Sequence, residues 1–174
     1  MKLSHFGPDG RYSTRLLQPP DLPQLQELFE RGTDYFEVAT GAPPAKDEAS
    51  RAYVAGPPTK SLDDKRVIGI FADESLTGVV DLLIDFPEPA VWTMGMLLLD
   101  PAHRGAGLGR AALQAVETWA VAQGAGRLRT AVVAHHGDGI SFVQAAGFAE
   151  EATLADYDAG ARRASVYFYS KSLR

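Results

Sequence analysis

The stretch of residues 97–114, LLLDPAHRGAGLGRAALQ, combines residue types that can hold a phosphate group. Three alternating glycines are bracketed by two arginines: Arg104, Gly105, Gly107, Gly109 and Arg110. The glycines let backbone N–H groups approach an anion without interference from Cβ atoms. The helix that the following residues predict adds the positive end of its dipole, and the arginines add charge-assisted hydrogen bonds. The pattern therefore predicts an anion-binding loop between a strand and a helix.

Two common phosphate-binding motifs do not account for this loop. A P-loop requires a lysine and then Ser or Thr after its second glycine, whereas Arg110 is followed by Ala111. The dinucleotide fingerprint G-x-G-x-x-A is matched by Gly107, Gly109 and Ala112, but it also requires an acidic residue about 20 positions further on. The strand predicted near that distance ends in Val-Ala-His-His, without a carboxylate. A nicotinamide or nucleotide binder therefore stays a weaker alternative.

The loop and its surroundings resemble the acetyl-coenzyme A (acetyl-CoA) signature of the GNAT N-acetyltransferase superfamily. Arg104, Gly107 and Gly109 match its core, Gln/Arg-x-x-Gly-x-Gly/Ala, in register. The preceding MLLLDP matches the strand before the signature and the Asp-Pro that follows this strand. Residues 139–148, GISFVQAAGF, resemble the second conserved region, which ends in Gly-Phe. The order of elements fits the family fold as well, so the resemblance covers essentially the whole chain, with its specific motifs in residues 96–110 and 136–148.

This resemblance implies an N-acetyltransferase that moves an acetyl group from acetyl-CoA to a primary amine by direct attack in a ternary complex. We expect a small-molecule amine, because the chain shows no extended peptide-recognition module. Two alternatives stay open: a domain that binds or senses acyl-CoA without catalysis, and an enzyme that acetylates a protein or peptide amine.

The resemblance also implies which residues bind the donor. In this family the strand before the loop separates from the next strand, and its free backbone groups pair with the pantetheine arm. The loop amides would bind the pyrophosphate, and the second conserved region would contact the coenzyme. The residues implied are Met96, Leu97, Leu98, Leu99, Arg104, Gly105, Ala106, Gly107, Leu108, Gly109, Arg110, His136, Gly139 and Phe142.

The acid and base that many family members use are missing from this sequence. The usual glutamate falls near Thr93 and the usual tyrosine at Val143. Replacement candidates for proton transfer are Asp81 and Asp85, carboxylates on or just after a predicted strand, and His136. An imidazole can titrate near neutral pH and relay a proton.

Aromatic side chains are candidates to contact the acceptor. Tyr35 and Phe36 lie in the irregular segment that covers the acceptor pocket in this family, although they could equally pack the first helix onto the sheet. Trp92 lies on a predicted strand and is a further candidate. No metal is expected, because the adjacent His135 and His136 have no nearby carboxylate at ligand spacing.

Hydrophobic periodicity predicts the elements that must position these residues. Seven strands are predicted over residues 12–18, 66–72, 76–84, 90–99, 127–134, 148–156 and 163–170. Helices are predicted over residues 22–32, about 47–54, 108–124 and 138–146, with an irregular segment over 33–60. The order predicts a single α/β (α+β) domain with a mixed sheet, and the resemblance implies that this is the GNAT fold, over residues 1–174. Its mixed, mostly antiparallel sheet would have about six or seven strands flanked by helices.

Composition narrows the classes of partner. The 174-residue chain has a formal charge of −5, which argues against a nucleic-acid partner, and no cysteine, which excludes disulfides and thiolate chemistry. No run approaches the roughly 18 apolar residues of a membrane span, and the first residues do not resemble a signal peptide. We therefore expect a cytoplasmic protein without a membrane partner, and the resemblance is compatible with a homodimer.

Overall fold

The computed structural model describes residues 3–8 and 10–173, and the strands of this part of the chain form one sheet. Its eight strands are β1 (Leu3–Phe6), β2 (Tyr12–Leu16), β3 (Lys65–Ala72), β4 (Ser75–Leu83), β5 (Val91–Leu99), β6 (Arg127–Val133), β7 (Ala149–Asp158) and β8 (Arg163–Ser172). They are ordered β1-β2-β3-β4-β5-β6-β8-β7, and β5 and β6 alone run parallel. This confirms the predicted mixed, mostly antiparallel fold. The additional strand, β1, precedes the first predicted one.

Five α-helices flank the sheet within the same residues: α1 (Leu22–Arg31), α2 (Thr33–Thr40), α3 (Glu48–Val54), α4 (Leu108–Ala122) and α5 (Gly137–Ala145). Four agree with prediction within a few residues, but α2 occupies part of the segment predicted as irregular. Gly41 ends α2 in the left-handed region, at φ 86°. Phe36 packs on Phe29 of α1, with ring centroids 5.0 Å apart. This packing stabilises a helix whose β-branched residues have low helix propensity.

Successive side chains of a strand point to opposite faces of the sheet, so its apolar residues form two cores, one on each face. One core lies under α4 and α5 and includes Ile68, Ile70, Leu82, Trp92, Leu128, Leu113, Val116 and Val143. The other lies under α1, α2 and α3 and includes Val67, Val79, Leu98, Leu25, Leu28, Phe29 and Phe36. The central strands are therefore buried on both faces, which fixes their position in the molecule.

The parallel strands β5 and β6 pair over only part of their length. Residues 91–94 of β5 pair with residues 127–130 of β6, and the Thr130 hydroxyl donates to the Met94 carbonyl at 2.9 Å. Beyond this point β6 continues its pairing with β8, whereas residues 95–99 of β5 have no partner on β6. A bulge at Gly95, between the pairs Asp81–Met96 and Leu82–Met94, bends β5 at the same place. The sheet therefore opens between two strands that are adjacent at their other ends.

Trp92 lies in the core under α4 and not beside this opening. It is 2% exposed, and its ring lies 5.1 Å from that of Trp119. The indole is therefore not available to an acceptor in this structure, and the aromatic residue at this position has a packing role.

Replacing Trp92 by alanine is expected to lower the free energy of unfolding by about 3–5 kcal/mol, because a large buried ring is lost and a cavity remains. Urea unfolding of the variant measures this loss. The matched control is Val121→Ala on α4, whose side chain is 45% exposed and which should change stability by no more than about 0.5 kcal/mol. Equal unfolding midpoints for the two variants would contradict the burial of Trp92.

Candidate active site

The glycine loop leaves its backbone open to a cavity. Gly105 and Gly107 have φ values of 80° and 86°, in the region that favours glycine, and Gly107 is the N-cap of α4. A Cβ atom added at Gly105 would meet no atom within 4 Å, and one at Gly107 would meet Pro8 at 3.7 Å. The backbone N–H groups at the start of α4 therefore have room for an anion beside them.

A cavity of about 590 Å³, here named the loop cavity, lies along this loop. Its walls come from α2, the end of β5, the glycine loop and the start of α5. They include Asp34, Tyr35, Val38, Leu97, Leu98, Leu99, Arg104, Gly105, Gly107, Gly109, Arg110, His136, Asp138, Gly139 and Phe142. Two predicted contacts, Leu98 and Leu108, have side chains that are 2% and 1% exposed in the cores. They can therefore offer only backbone groups to a ligand.

The two arginines that bracket the glycines have different roles. Arg104 forms a two-pronged ion pair with Asp34 of α2, and its Nε donates to the Leu99 carbonyl at 2.9 Å. The hydrogen bonds from Arg104 hold the pKa of the Asp34 carboxyl below its usual value. Arg110 is exposed and forms no ion pair with a carboxylate of the described residues. Arg104 therefore holds α2 against the loop while it also lines the loop cavity, and contact of either arginine with phosphate stays a prediction.

A second cavity, of about 410 Å³, passes through the sheet where β5 and β6 separate, and is named the sheet cavity. It shares five lining residues with the loop cavity: Tyr35, Leu97, His136, Gly139 and Phe142. On the α5 face its wall includes Met94, Val132 and Val143. On the opposite face it is lined by α2, β8, the end of β7 and the β7–β8 turn (residues 159–162). The two cavities therefore meet at the opening in the sheet.

His136 lies at this meeting point, at the N-cap of α5. Its imidazole packs over Gly139, where an added Cβ would lie 2.7 Å from the ring. Burial lowers the pKa of His136, the nearby His135 and Arg104 lower it further, and Asp138 and Asp34 oppose the change. The imidazole is therefore neutral at pH 7 and able to accept a proton.

Tyr35 faces His136 across the same opening, with ring centroids 6.2 Å apart. Burial and, to a smaller extent, the Asp81 carboxylate raise the pKa of Tyr35 to about 12. The phenol is thus protonated at neutral pH and can donate a hydrogen bond to a ligand in the cavities. Its neighbour Phe36 is 3% exposed in the core, so of the two aromatic candidates only Tyr35 lines a cavity.

The two carboxylate candidates lie outside both cavities. Asp81 lies beside the Gly95 bulge, but its Oδ2 is 2.8 Å from the Lys65 ammonium. Burial raises the pKa of Asp81, and Lys65 opposes this effect. Asp85 is an exposed turn residue at φ 50° whose carboxylate accepts from the Ala90 N–H at 2.8 Å. The structure thus contradicts a base role for Asp85 and places only His136, among the three candidates, on the cavity walls.

The positions of the family's usual acid and base carry no acid–base group. The Thr93 hydroxyl donates to the Phe86 carbonyl at 2.7 Å, and Val143 is buried against the sheet cavity.

No cluster of three histidine or acidic residues suited to a metal ion occurs in residues 3–8 and 10–173. The helices of the described chain include none long and apolar enough to cross a membrane.

A glycine loop at the start of a helix, beside a strand freed from its parallel neighbour, defines a coenzyme-A-dependent acyltransferase site. The chain belongs to the acetyltransferase (GNAT) family, whose sequence model matches residues 25–148. No curated protein matches the chain by sequence. The family assignment confirms the resemblance, makes the protein an acyltransferase with acetyl-CoA as donor, and leaves the nucleotide-binding alternative without support.

Solved structures share the fold at low sequence identity. An acetyltransferase from Thermus thermophilus is 24% identical in sequence and superposes with a TM-score of 0.72. The match covers 92% of this chain and 96% of that one. The ribosomal-protein-S18-alanine N-acetyltransferase of Escherichia coli is 17% identical, with a TM-score of 0.70. That match covers 93% of this chain and 94% of the E. coli protein. A Salmonella typhimurium acetyl transferase that modifies the N-terminal serine of ribosomal protein L7/L12 is also 17% identical, with a TM-score of 0.72. This match covers 93% of this chain and 95% of the Salmonella protein.

Several residues of the site carry no local signal in the sequence. Asp34 reaches Arg104 across 70 positions, and the β7–β8 turn reaches α2 across more than 100. Ala39, Thr40 and Phe168 line the sheet cavity only because these distant elements meet there. Ordinary surface residues of this type could not be distinguished from cavity residues before the chain was folded.

Introducing a carboxylate at Gly105 is expected to weaken acetyl-CoA binding at least about tenfold, because it places negative charge in the anion site. The matched control is Gly124→Asp at the other end of α4. Gly124 has φ 94° and, like Gly105, no atom within 4 Å of an added Cβ, so both variants carry similar backbone strain. Ligand-induced shifts in melting temperature compare the two. Equal weakening in both variants would argue that strain, and not the anion site, is responsible.

Proposed function

We propose that the protein transfers the acetyl group of acetyl-CoA to a primary amine of a small molecule, with both substrates bound at once. The observation that carries this proposal is the junction of the two cavities at the opening between β5 and β6. In this reaction a bond forms between the amine nitrogen and the acetyl carbon, the carbon–sulfur bond breaks, and one amine proton ends on the thiol of CoA.

The chain's contribution on the donor side is binding and orientation. The backbone of residues 96–98, unpaired with β6, is free to add a strand-like partner, whereas the Leu99 carbonyl already accepts from Arg104. The loop amides and Arg110 fit phosphate, and Gly139 and Phe142 line the adjoining wall. Backbone N–H groups near the Gly95 bulge are available to polarise a carbonyl oxygen on which negative charge develops.

The closed acceptor side favours a small amine. The β7–β8 turn is fixed to α2 by a hydrogen bond from the Ala161 N–H to the Thr40 carbonyl at 2.9 Å. Arg162 packs against Gly41, where an added Cβ would lie 2.7 Å from its Nε. The turn and α2 therefore cover the sheet cavity on the side away from α5. An extended peptide could not cross the cavity without moving the turn.

Acid–base help is the smaller part of the proposed catalysis. Bringing an amine and a thioester together in good geometry lowers the barrier by about 7–11 kcal/mol, whereas general acid–base catalysis contributes roughly 10²–10⁴-fold. His136 is the proposed proton acceptor, because it lines both cavities and its lowered pKa keeps it neutral. Asp81 is held by Lys65 and has no such position.

Replacing His136 by asparagine is expected to lower kcat/KM by about 10²-fold near neutral pH, through loss of the base. In the wild type, activity should fall as pH drops through the lowered pKa of His136, because protonation removes the base; the variant should lack this acidic limb. The measurement is the pH profile of kcat/KM. Retained binding, shown by an unchanged acetyl-CoA melting shift, separates catalysis from ligand positioning, and an unchanged profile would contradict the assignment.

Acetylation of a protein amine is the second candidate, motivated by the two similar folds that modify ribosomal proteins. Release of free thiol from acetyl-CoA is to be compared for small amines and for peptides that begin with alanine or serine. Turnover of small amines with little release from peptides supports the proposal. Preference for a peptide would favour the second candidate.

A further inference from the structure

The face of the sheet cavity away from α5 has an apolar floor. Side chains alternate along β6, so Ala131 and Val133 face away from the core that holds Val132. In the β6–β8 register Ala131 lies opposite Phe168 and Val133 opposite Val166, which places all four on one face. These four residues, named the acceptor floor, all line the sheet cavity.

The roof over this floor is also largely apolar and is held in place. Ala39 of α2, Tyr157 near the end of β7 and Ala159 of the β7–β8 turn line it. The contacts of residues 161 and 162 with the end of α2 fix their spacing. At about 410 Å³ the cavity is near the lower end of the range for small-molecule sites, and part of it is the passage through the sheet. The space above the floor therefore fits one compact group.

Charge is almost absent from the walls. Among the described residues that line the sheet cavity there is no lysine or arginine, and the single carboxylate is Asp158. Asp158 is exposed and its Oδ1 accepts from the Gly160 N–H at 3.0 Å, so it lies at the rim. Outside this lining, the Arg129 guanidinium stacks over the Phe168 ring at 4.3 Å, and the Glu151 carboxylate neutralises its charge. A second ammonium group would lose its water without gaining a partner on the floor. A carboxylate at the rim attracts a single ammonium group.

We propose that the acceptor is a primary amine carried on a compact apolar body, of phenylalkyl or alkyl type, which lies on the acceptor floor under the β7–β8 turn. This assignment rests on the proposed function and specifies its substrate class. Apolar contact with Phe168 and the two valines selects the body of the acceptor, and the opening between β5 and β6 receives its amino group.

The test measures kcat/KM by free-thiol release for 2-phenylethylamine, ethanolamine, spermidine and a peptide with an N-terminal serine. We expect 2-phenylethylamine to exceed each of the others at least about tenfold, the scale on which apolar pockets discriminate. Preference for ethanolamine, spermidine or the peptide would overturn the inference while leaving acetyl transfer intact. A melting shift with acetyl-CoA but no thiol release with any amine would overturn the proposed function as well.

A pair of variants locates the acceptor on the floor. Ala131 is exposed on β6, so Ala131→Asp adds charge to the floor at little risk to folding. It should lower kcat/KM for 2-phenylethylamine at least about tenfold, because burying a carboxylate against an apolar body is costly, and leave the acetyl-CoA melting shift in place. Ala122→Asp, at an exposed position on α4, is the matched control and should leave both unchanged. Equal activity of the two variants toward 2-phenylethylamine would show that the acceptor does not lie on this floor.

Discussion

The loss of pairing between β5 and β6 after Met94 and Thr130 is the constraint on which the rest of the site depends. Backbone N–H and C=O groups in a protein interior require partners, so strands rarely separate without something to occupy the gap. Here β6 is kept in place by seven paired positions with β8, and β5 by its pairing with β4. The gap is therefore a rigid feature, and its edges are backbone groups available to a ligand.

The ion pair between Arg104 and Asp34 determines how α2 lies over this gap. Because both nitrogens at the end of the guanidinium bind one carboxylate, the pair has a defined geometry as well as opposite charges. It brings the next residue, Tyr35, to the place where the two cavities meet. A loop arginine that looks like a phosphate ligand in the sequence thus contributes by positioning a helix, and Arg110 carries the unpaired positive charge.

The same region bears on the proposed reaction, because it lacks the acid and base common in the family. Its lining is apolar and partly closed, which disfavours charged side chains and keeps His136 neutral and Tyr35 protonated. An environment of this kind suits a reaction between two neutral groups, an amine and a thioester. In the proposed mechanism, proximity and backbone polarisation account for most of the barrier reduction, and a single imidazole accepts the proton.

The sequence by itself determined the elements and the donor loop, because both depend on local patterns. Strand alternation, helical periodicity and three glycines next to a helix start are short-range features, and they predicted seven of eight strands in the described chain and four of its five α-helices. The helix α2 was not predictable, since the burial of Phe36 against Phe29 stabilises it and this contact is tertiary.

Only the tertiary structure decided which candidates belong to the site. Trp92, Phe36 and Asp85 have suitable residue types, but strand direction and packing place them in the cores or in an exposed turn. His136, Tyr35 and the acceptor floor come from α5, α2, β6 and β8, which meet because the sheet opens and the β7–β8 turn folds back on α2. The physical reason is that local periodicity depends on neighbouring residues, and therefore does not indicate contacts between residues far apart in the chain.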